Sequence, residues 1–396
     1  MHAETILARV LAPCLISLHA KRASALLRAT AGLLHGGITS LSEIALSLGG
    51  GIPLKHRIKS VDRLLGNSGL HRSFGELYRC IALRWLQDLP QILIVVDWSD
   101  LTHDQRWQLL RASVVVEGRS VTLYEEVHPQ KRLAGPGVHR KFLRCLAQIL
   151  PPGCKPIVMT DAGFHATWFK MVKARGWEFV DAIACSSVRT GLGCRRVICM
   201  LRLAQVRDLG VGAYARSNPV AVRAVLSKRP QKGRHQKNIY GKKRKGRRSE
   251  KNARSAREPW LLASSLGLRH LGADAIIRLY SQRMRIEQSF RDTKNLRLGL
   301  GLTVSRSRSA PRLAALLLIS HLASLVQRLI GESAKQRQLE LQFMATRRST
   351  RPEISVLTLG RRILDAAPHF LHQLVPWQAI PPLTGQAARA CATIDL

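Results

Sequence analysis

The apolar residues of the chain follow a helical spacing over the first 88 positions and a strand-like pattern after them. Residues 41–48 carry apolar positions at helical spacing and end at three glycines. Residues 55–65 then form a basic amphipathic stretch with Lys59 and Arg63 on one face. Two short helices about a glycine turn resemble a helix-turn-helix, and a plain helical bundle explains the same pattern equally well. Residues 1–88 are therefore predicted to be helical.

Short apolar runs dominate the next hundred residues. Residues 91–96 and 156–160 are continuous apolar runs, which predict strands buried on both faces. Residues 113–116 and 121–124 flank a glycine-containing turn and predict a β-hairpin. Three further elements are predicted, namely helices at about 139–150 and 167–175 and a strand at about 177–183. A hairpin followed by helical crossovers predicts an α/β domain with a mixed sheet.

This α/β pattern is interrupted at residues 185–257. Residues 228–257 hold 14 Lys or Arg among 30 positions and a single acid, Glu250. Such a run is usually a solvated loop, which is compatible with contact to a DNA backbone. An apolar strand resumes at Trp260, and a long helix is predicted over about 274–296.

The charge of the whole chain narrows the class of partner. The 396 residues include 63 Lys and Arg against 25 Asp and Glu, a formal net charge of +38. A polyanion must offset that repulsion, and nucleic acid is the obvious one. Residues 313–329 are apolar but carry several polar side chains, so they predict a core helix and not a membrane span. Glu4 and Arg9 interrupt the first apolar run, which does not match a signal peptide and indicates a cytoplasmic protein.

Two carboxylates stand at the ends of the predicted buried strands. Asp97 follows the first apolar run and Asp161 follows the second. Sites in open α/β folds lie at the carboxyl ends of strands, and two acids placed there attract a divalent cation with oxygen ligands. A single acid after a strand is more often a turn or cap residue, so the metal interpretation needs a third carboxylate.

The predicted long helix supplies a candidate. Tyr280, Arg283, Glu287 and Lys294 fall within a wedge of about 60° at 100° per residue. A solvated charged stripe explains that spacing equally well.

Taken together, these motifs resemble one family. The set comprises VDWSD at 96–100, DAGF at 161–164, the Y-x2-R-x3-E-x6-K helix, RLLGN at 63–67, LRAS at 110–113, GRSVTLYE at 118–125 and SNP at 217–219. It resembles the DDE transposases of the insertion-sequence-four family, with the greatest likeness to the transposon-ten branch. The resemblance covers roughly residues 20–330.

The resemblance implies an α/β fold with an RNase H-like catalytic core that is interrupted by a β-rich basic insertion. Helical N- and C-terminal regions would flank the core. The implied divisions are a DNA-end-binding domain at 1–88, the first part of the core at 89–184, the insertion at 185–257, the second part of the core at 258–310 and a protomer-pairing region at 311–396.

The resemblance also implies cut-and-paste transposition. Asp97, Asp161 and Glu287 would hold two Mg²⁺ ions, with Mn²⁺ as a substitute, and these would activate water or a DNA 3′-hydroxyl and stabilise the leaving oxygen. The phosphate contacts would come from Arg283, Lys294 and Tyr280, and from Lys59 and Arg63 in the N-terminal domain. The implied partners are double-stranded DNA, as element ends and target, and a second copy of the chain in the DNA complex.

Release of the element in this family passes through a DNA hairpin, which needs a base moved out of the stack. Trp260 matches the tryptophan on which that base stacks, while a core strand residue is an equally good interpretation. Ala182 and Ala184 stand where the family usually has arginines. Two alternatives therefore stay open, an inactivated remnant that binds DNA without cutting and an RNase H-like nuclease or resolvase.

Overall fold

The computed structural model describes residues 3–86, 89–116, 118–183, 188–189, 205–228, 259–297, 299–344, 354–372 and 387. Of the predicted basic run, only Lys228 falls within these ranges, and Ala184 lies outside them.

The described part of the N-terminal region consists of helices, as its apolar spacing predicts. They are α1 (Ala3–Leu15), α2 (Ala20–Gly36), α3 (Leu41–Leu46), α4 (Leu54–Leu65), α5 (Ser68–Arg72) and α6 (Phe74–Trp85). The polar residues before two of them act as N-caps, because Ser40 accepts the Glu43 amide at 3.2 Å and Asn67 accepts the Leu70 amide at 2.8 Å. Helices α3 and α4 pack against each other and against α2, so the two predicted helices belong to a bundle.

Nine strands form one mixed sheet within the described residues. They are β1 (Leu93–Asp100), β2 (Trp107–Val116), β3 (Arg119–Pro129), β4 (Ile157–Thr160), β5 (Glu178–Ala182), β6 (Val188–Arg189), β7 (Gln205–Tyr214), β8 (Val220–Lys228) and β9 (Trp260–Ser264). Their order across the sheet is β3-β2-β1-β4-β5-β9-β8-β7-β6. Strands β1, β4 and β5 run parallel, and the remaining pairs are antiparallel. The predicted α/β class with a mixed sheet is confirmed.

The hairpin β2–β3 is longer than the two runs at 113–116 and 121–124 predict. Its inner positions include Arg111 and Glu125, which interrupt the apolar pattern of the sequence. Both side chains are nevertheless buried, because they form an ion pair with each other. Because this polar pair occupies buried strand positions, the hydrophobic pattern predicted only about half of the hairpin.

The described strands of the interruption extend the same sheet. Strand β9 pairs with β5 on one side and with β8 on the other, so β6, β7 and β8 continue the sheet outward from β9. The part of residues 185–257 that the structure describes is accordingly β-structure.

The helices after β3 cover the sheet and its edges. They are α7 (Pro136–Ile149), α8 (Ala166–Lys173), α9 (Ala273–Ser281), α10 (Met284–Lys294), α11 (Ala310–Gln336) and α12 (Val356–Ala366). The prediction of one continuous helix over 274–296 is wrong, because α9 ends before α10 begins. Between them the Arg283 amide bonds to the Tyr280 carbonyl at 3.0 Å, a tighter i→i−3 turn that no Pro or Gly marks in the sequence.

Helix α11 forms the centre of the helical layer. It is 27 residues long and apolar enough to cross a membrane by length and composition, but most of it is buried inside the fold. It contacts α2, β3 and α12, which confirms the predicted core helix. Glycines let α12 approach closely, because a Cβ at Gly360 would collide with the Gln327 carbonyl oxygen.

Candidate active site

The register of the two central parallel strands decides which way the two aspartates point. Val95 of β1 pairs with Met159 of β4. Side chains alternate along a strand, so Asp97 and Asp161, each two positions further on, continue on the same face as that pair. Both carboxylates therefore lie on one face, just beyond the last residue pair that joins β1 and β4. Asp161 follows the end of β4 as predicted, whereas Asp97 lies inside β1, because β1 stays paired with β2 as far as Asp100.

Asp97 is a buried carboxylate with a cation beside it. Its Oδ1 accepts the Trp98 amide at 2.8 Å, and its Oδ2 lies 3.0 Å from Nη1 of Arg283. Burial raises the pKa of Asp97 to about 7, with Asp161 and Glu287 adding to the rise and Arg283 opposing it. Negative charge is thus crowded at this point, and one guanidinium does not fully offset it.

The acidic helix brings its carboxylate to the same cation. Nη2 of Arg283 lies 3.0 Å from Oε1 of Glu287, so the guanidinium bridges Glu287 and Asp97. Asp161 is held separately, because its Oδ1 accepts the Gly163 amide at 2.9 Å. Among the described residues no three His, Cys, Asp or Glu side chains converge closely enough to hold one ion, and Arg283 lies between two of the three predicted ligands.

The chemistry of this donor set nevertheless fits a divalent cation. Asp97, Asp161 and Glu287 offer only carboxylate oxygens, which Mg²⁺ and Mn²⁺ prefer. Burial and the neighbouring Asp161 and Glu287 raise the pKa of Asp97, and a bound cation would favour its charged form.

Two aromatic residues pack against each other where α9 approaches β9. Tyr280 and Trp260 meet edge to face, with ring centroids 5.2 Å apart and planes at 80°. Burial raises the pKa of Tyr280 to about 12, and the charge of Arg283 opposes that rise. Trp260 is only partly buried at the start of β9. The structure thus brings Trp260 of β9 into contact with Tyr280 of α9, while its predicted role towards a DNA base stays a prediction.

Lys294 reaches the same strand end from the far end of α10. Its Nζ donates to Ser99 Oγ at 2.6 Å and to the Asp100 carbonyl at 2.8 Å. Burial lowers the pKa of Lys294, while the nearby Asp97 opposes that change. A second cation therefore stands within two residues of Asp97.

Residues 88–325, more than half of the chain, match the family model described as the transposase DDE domain. The chain belongs to this family. No curated protein matches the sequence. Membership indicates a DDE transposase that acts on DNA, and agrees with the α/β core described above. The assignment to the insertion-sequence-four family and to its transposon-ten branch stays a prediction.

Lys59 and Arg63 do not belong to the carboxylate cluster of this DDE domain. They lie on α4 and line a groove of about 490 Å³ between α2 and α4. The groove also contains Lys21, Arg22 and His56, which the sequence interpretation missed. The basic start of α2 was a usable indication, but only the packing of α2 on α4 shows that it joins the other cations.

Ala182, the described member of the two departures from the family pattern, pairs with Leu262 near the end of β5. The residue before it, Asp181, was not predicted as functional. Asp181 is fully buried, and its Oδ1 accepts the Thr160 amide at 2.6 Å and also the Thr160 hydroxyl. Burial raises the pKa of Asp181 to about 8. Its pairing with Thr160 puts it on the opposite face of the sheet from Asp161.

Proposed function

We propose that the protein is a cut-and-paste transposase. It binds the ends of its element, excises the element by metal-dependent phosphoryl transfer and joins it to target DNA. Family membership supports DDE chemistry on DNA, and the residues of this chain support the more specific steps.

One observation carries the proposal. Asp97 and Glu287 lie 190 positions apart in the chain, yet both contact the guanidinium of Arg283 at 3.0 Å. Asp161 shares the sheet edge with Asp97. A structural core has no need for three acids at one open strand edge, whereas metal-dependent DNA cleavage does.

The three carboxylates would hold two Mg²⁺ ions, which supply an activated water or 3′-hydroxyl and stabilise the leaving oxygen. Arg283 and Lys294 stand beside the carboxylates and would hold the oxygens of the scissile phosphate. Tyr280 lies three positions before Arg283, near the end of α9, and would hydrogen-bond one of the phosphate oxygens.

Double-stranded DNA is the proposed partner over a wider surface. The groove that contains Lys59 and Arg63 supplies phosphate contacts for an element end. The reaction acts on both ends of the element, so we propose a homodimer in the DNA complex. We place this complex in the bacterial cytoplasm, close to the nucleoid.

Trp260 would provide the stacking surface for the base that leaves the helix when a hairpin forms. Its partial exposure and its contact with Tyr280 support a place beside the reacting strand.

The test incubates the purified protein with Mg²⁺ and linear DNA that carries the ends of its own element. Hairpin and strand-transfer products are expected, and Asp97→Ala should yield neither. Cleavage without hairpin or joining would support the nuclease or resolvase alternative. Specific end binding without any cleavage would support the inactivated remnant.

A further inference from the structure

A row of polar residues crosses the hairpin on the face that α10 covers. Asp97 of β1 pairs with Arg111 of β2, and Arg111 pairs with Glu125 of β3. Residues directly opposite one another on neighbouring strands point to the same face. The row therefore begins at the candidate metal ligand and continues behind the helix that carries Glu287.

Arg111 and Glu125 form a buried ion pair within that row. Nη2 of Arg111 lies 2.7 Å from Oε2 of Glu125, and Nε donates to the same oxygen at 2.8 Å. Both side chains are almost completely buried, at 3% and 2% exposure. Burying such a pair is unfavourable unless the remaining hydrogen-bonding groups are also satisfied.

The remaining donors of Arg111 are directed at α10. Nη1 donates to Ser289 Oγ at 2.9 Å, and both Nη atoms lie 3.1 Å from Thr293 Oγ1. The guanidinium carbon lies 5.1 Å from the ring centroid of Phe290. These three residues form the inner face of α10, so Arg111 holds the helix through directional contacts.

Glu125 extends the contacts to the N-terminal helices. The hydroxyl of Tyr78 on α6 donates to Oε1 of Glu125 at 2.9 Å. The rest of the hairpin grips α10 as well, because Ser120 Oγ donates to the Arg285 carbonyl at 3.2 Å.

We propose that Arg111 and Glu125 are positioning residues, which fix the rotation and height of α10 and thereby place Glu287 over Asp97. The proposal rests on the proposed function, since it concerns the same metal site. Apolar side chains would hold a helix equally well in several neighbouring orientations. The N–H bonds of a planar guanidinium point in fixed directions. Arg111 can therefore donate to Ser289 and Thr293 together in only one orientation of α10.

The experiment compares four variants of the full-length protein with the wild type, the fourth being Asp97→Ala. Arg111→Lys keeps the charge and removes the fork. The triple variant Tyr78→Phe/Arg111→Met/Glu125→Leu replaces the ion pair and its Tyr78 partner by apolar side chains, which often restores the stability that single changes lose. Ser289 and Thr293 of α10 are left unchanged. Arg223→Met is the matched control, because Arg223 forms an ion pair with Asp208 at 2.6 Å on β7 and β8, outside the row described above.

Three quantities are measured for each variant: Mn²⁺ affinity by calorimetry, hydrogen–deuterium exchange of the peptide 284–294, and the melting temperature. We expect Arg111→Lys and the triple variant to bind Mn²⁺ roughly tenfold to a hundredfold more weakly, as supporting residues around metal ligands usually do. Their α10 amides should exchange faster, while the triple variant melts close to the wild type. Arg223→Met should melt lower with unchanged Mn²⁺ affinity and unchanged exchange in α10.

A triple variant with wild-type Mn²⁺ affinity and wild-type exchange would overturn the proposal. Loss of Mn²⁺ affinity in Arg223→Met would overturn it too, because general destabilisation would then explain the effect. Asp97→Ala distinguishes failure of the proposed metal site from failure of the proposed positioning role. If it binds Mn²⁺ like the wild type, the proposed metal site is wrong, and exchange in α10 alone decides whether Arg111 positions the helix.

Discussion

The open edge of the sheet and its buried interior each contain an aspartate with a raised pKa, and the two differ in their neighbours. Asp97 at the edge has a pKa of about 7 and contacts Arg283, with two more acids nearby. Asp181 in the interior has a pKa raised to about 8 by burial, with a smaller contribution from Asp161, and it accepts hydrogen bonds from the amide and hydroxyl of Thr160. A perturbed pKa therefore does not identify a catalytic acid by itself. The charges around the group, and the face of the sheet it occupies, make the distinction.

Removal of one carboxylate of the candidate site at a time should have the largest effect on DNA cleavage. Asp97→Ala, Asp161→Ala and Glu287→Ala should each reduce DNA cleavage by about a thousandfold or more, because metal ligands contribute several kcal/mol to the transition state. Binding to element ends, measured by gel shift, should remain nearly unchanged. Asp181→Asn is the control and should cleave within about tenfold of the wild type. Near wild-type cleavage by any of the first three would remove that residue from the site.

A substitution at Trp260 tests whether a base that leaves the DNA double helix stacks beside the carboxylates. Trp260→Ala should slow hairpin formation roughly tenfold to a hundredfold, because stacking on an aromatic is worth about 1–3 kcal/mol per base. The first nick should be little affected. If Trp260 only fills the core against Tyr280, the variant should instead lose about 3–5 kcal/mol of stability and both steps should fall together. Separate nick and hairpin rates, with a melting curve, distinguish these results.

Substitutions in the groove between α2 and α4 test whether DNA contacts extend from the carboxylate site to the N-terminal helices. Lys59→Gln/Arg63→Gln should lower the slope of log affinity against log salt by about 2, one for each lost phosphate contact. Lys155→Gln is the matched control, because Lys155 is exposed before the start of β4, at the end opposite Asp161. Equal slopes for the double variant and the control would exclude this groove from the DNA path.

The smallest effect concerns the interior aspartate and depends on pH. The pKa of Asp181 rises from an ordinary value near 3.8 to about 8 on folding, so the folded chain binds the extra proton between those values. Stability contributed by this group is therefore greatest below pH 3.8 and is lost as pH rises towards 8. The melting temperature of Asp181→Asn relative to the wild type should rise by on the order of a few °C from pH 4 to pH 8. A constant difference across that range would show that Asp181 ionises normally.

The sequence predicted best those elements whose burial is uniform. The apolar runs that became β1 and β4 need no partner to be recognised, and the acids at their ends follow from strand geometry. The hairpin was underestimated because Arg111 and Glu125 are polar in the sequence and buried in the fold. The partners of Arg111 on α10 lie 178 and more positions away in the chain, so no local pattern could reveal them.

The break between α9 and α10 was missed for a related reason. Nothing in the residues around Arg283 interrupts a helix, and the tighter turn coincides with the contacts of Arg283 to Asp97 and Glu287. The contact with Asp97 is tertiary, whereas the contact with Glu287 joins residues four positions apart. The sequence identified Arg283 as a cation near the site, while its position between two carboxylates required the fold.

The burial of α11 has a consequence for the order in which the chain can fold as it is made. Thr39 follows the second helix of the protein, yet its hydroxyl lies 3.0 Å from that of Ser320, 281 positions later. The N-terminal helices pack partly against one another, but they leave the ribosome long before α11 is synthesised, and until then the face of α2 that contacts α11 stays exposed. A copy of the gene cut short before α11 should therefore yield a chain that is degraded. An element with such a truncated gene would therefore produce no stable protein that competes with the intact transposase for the element ends.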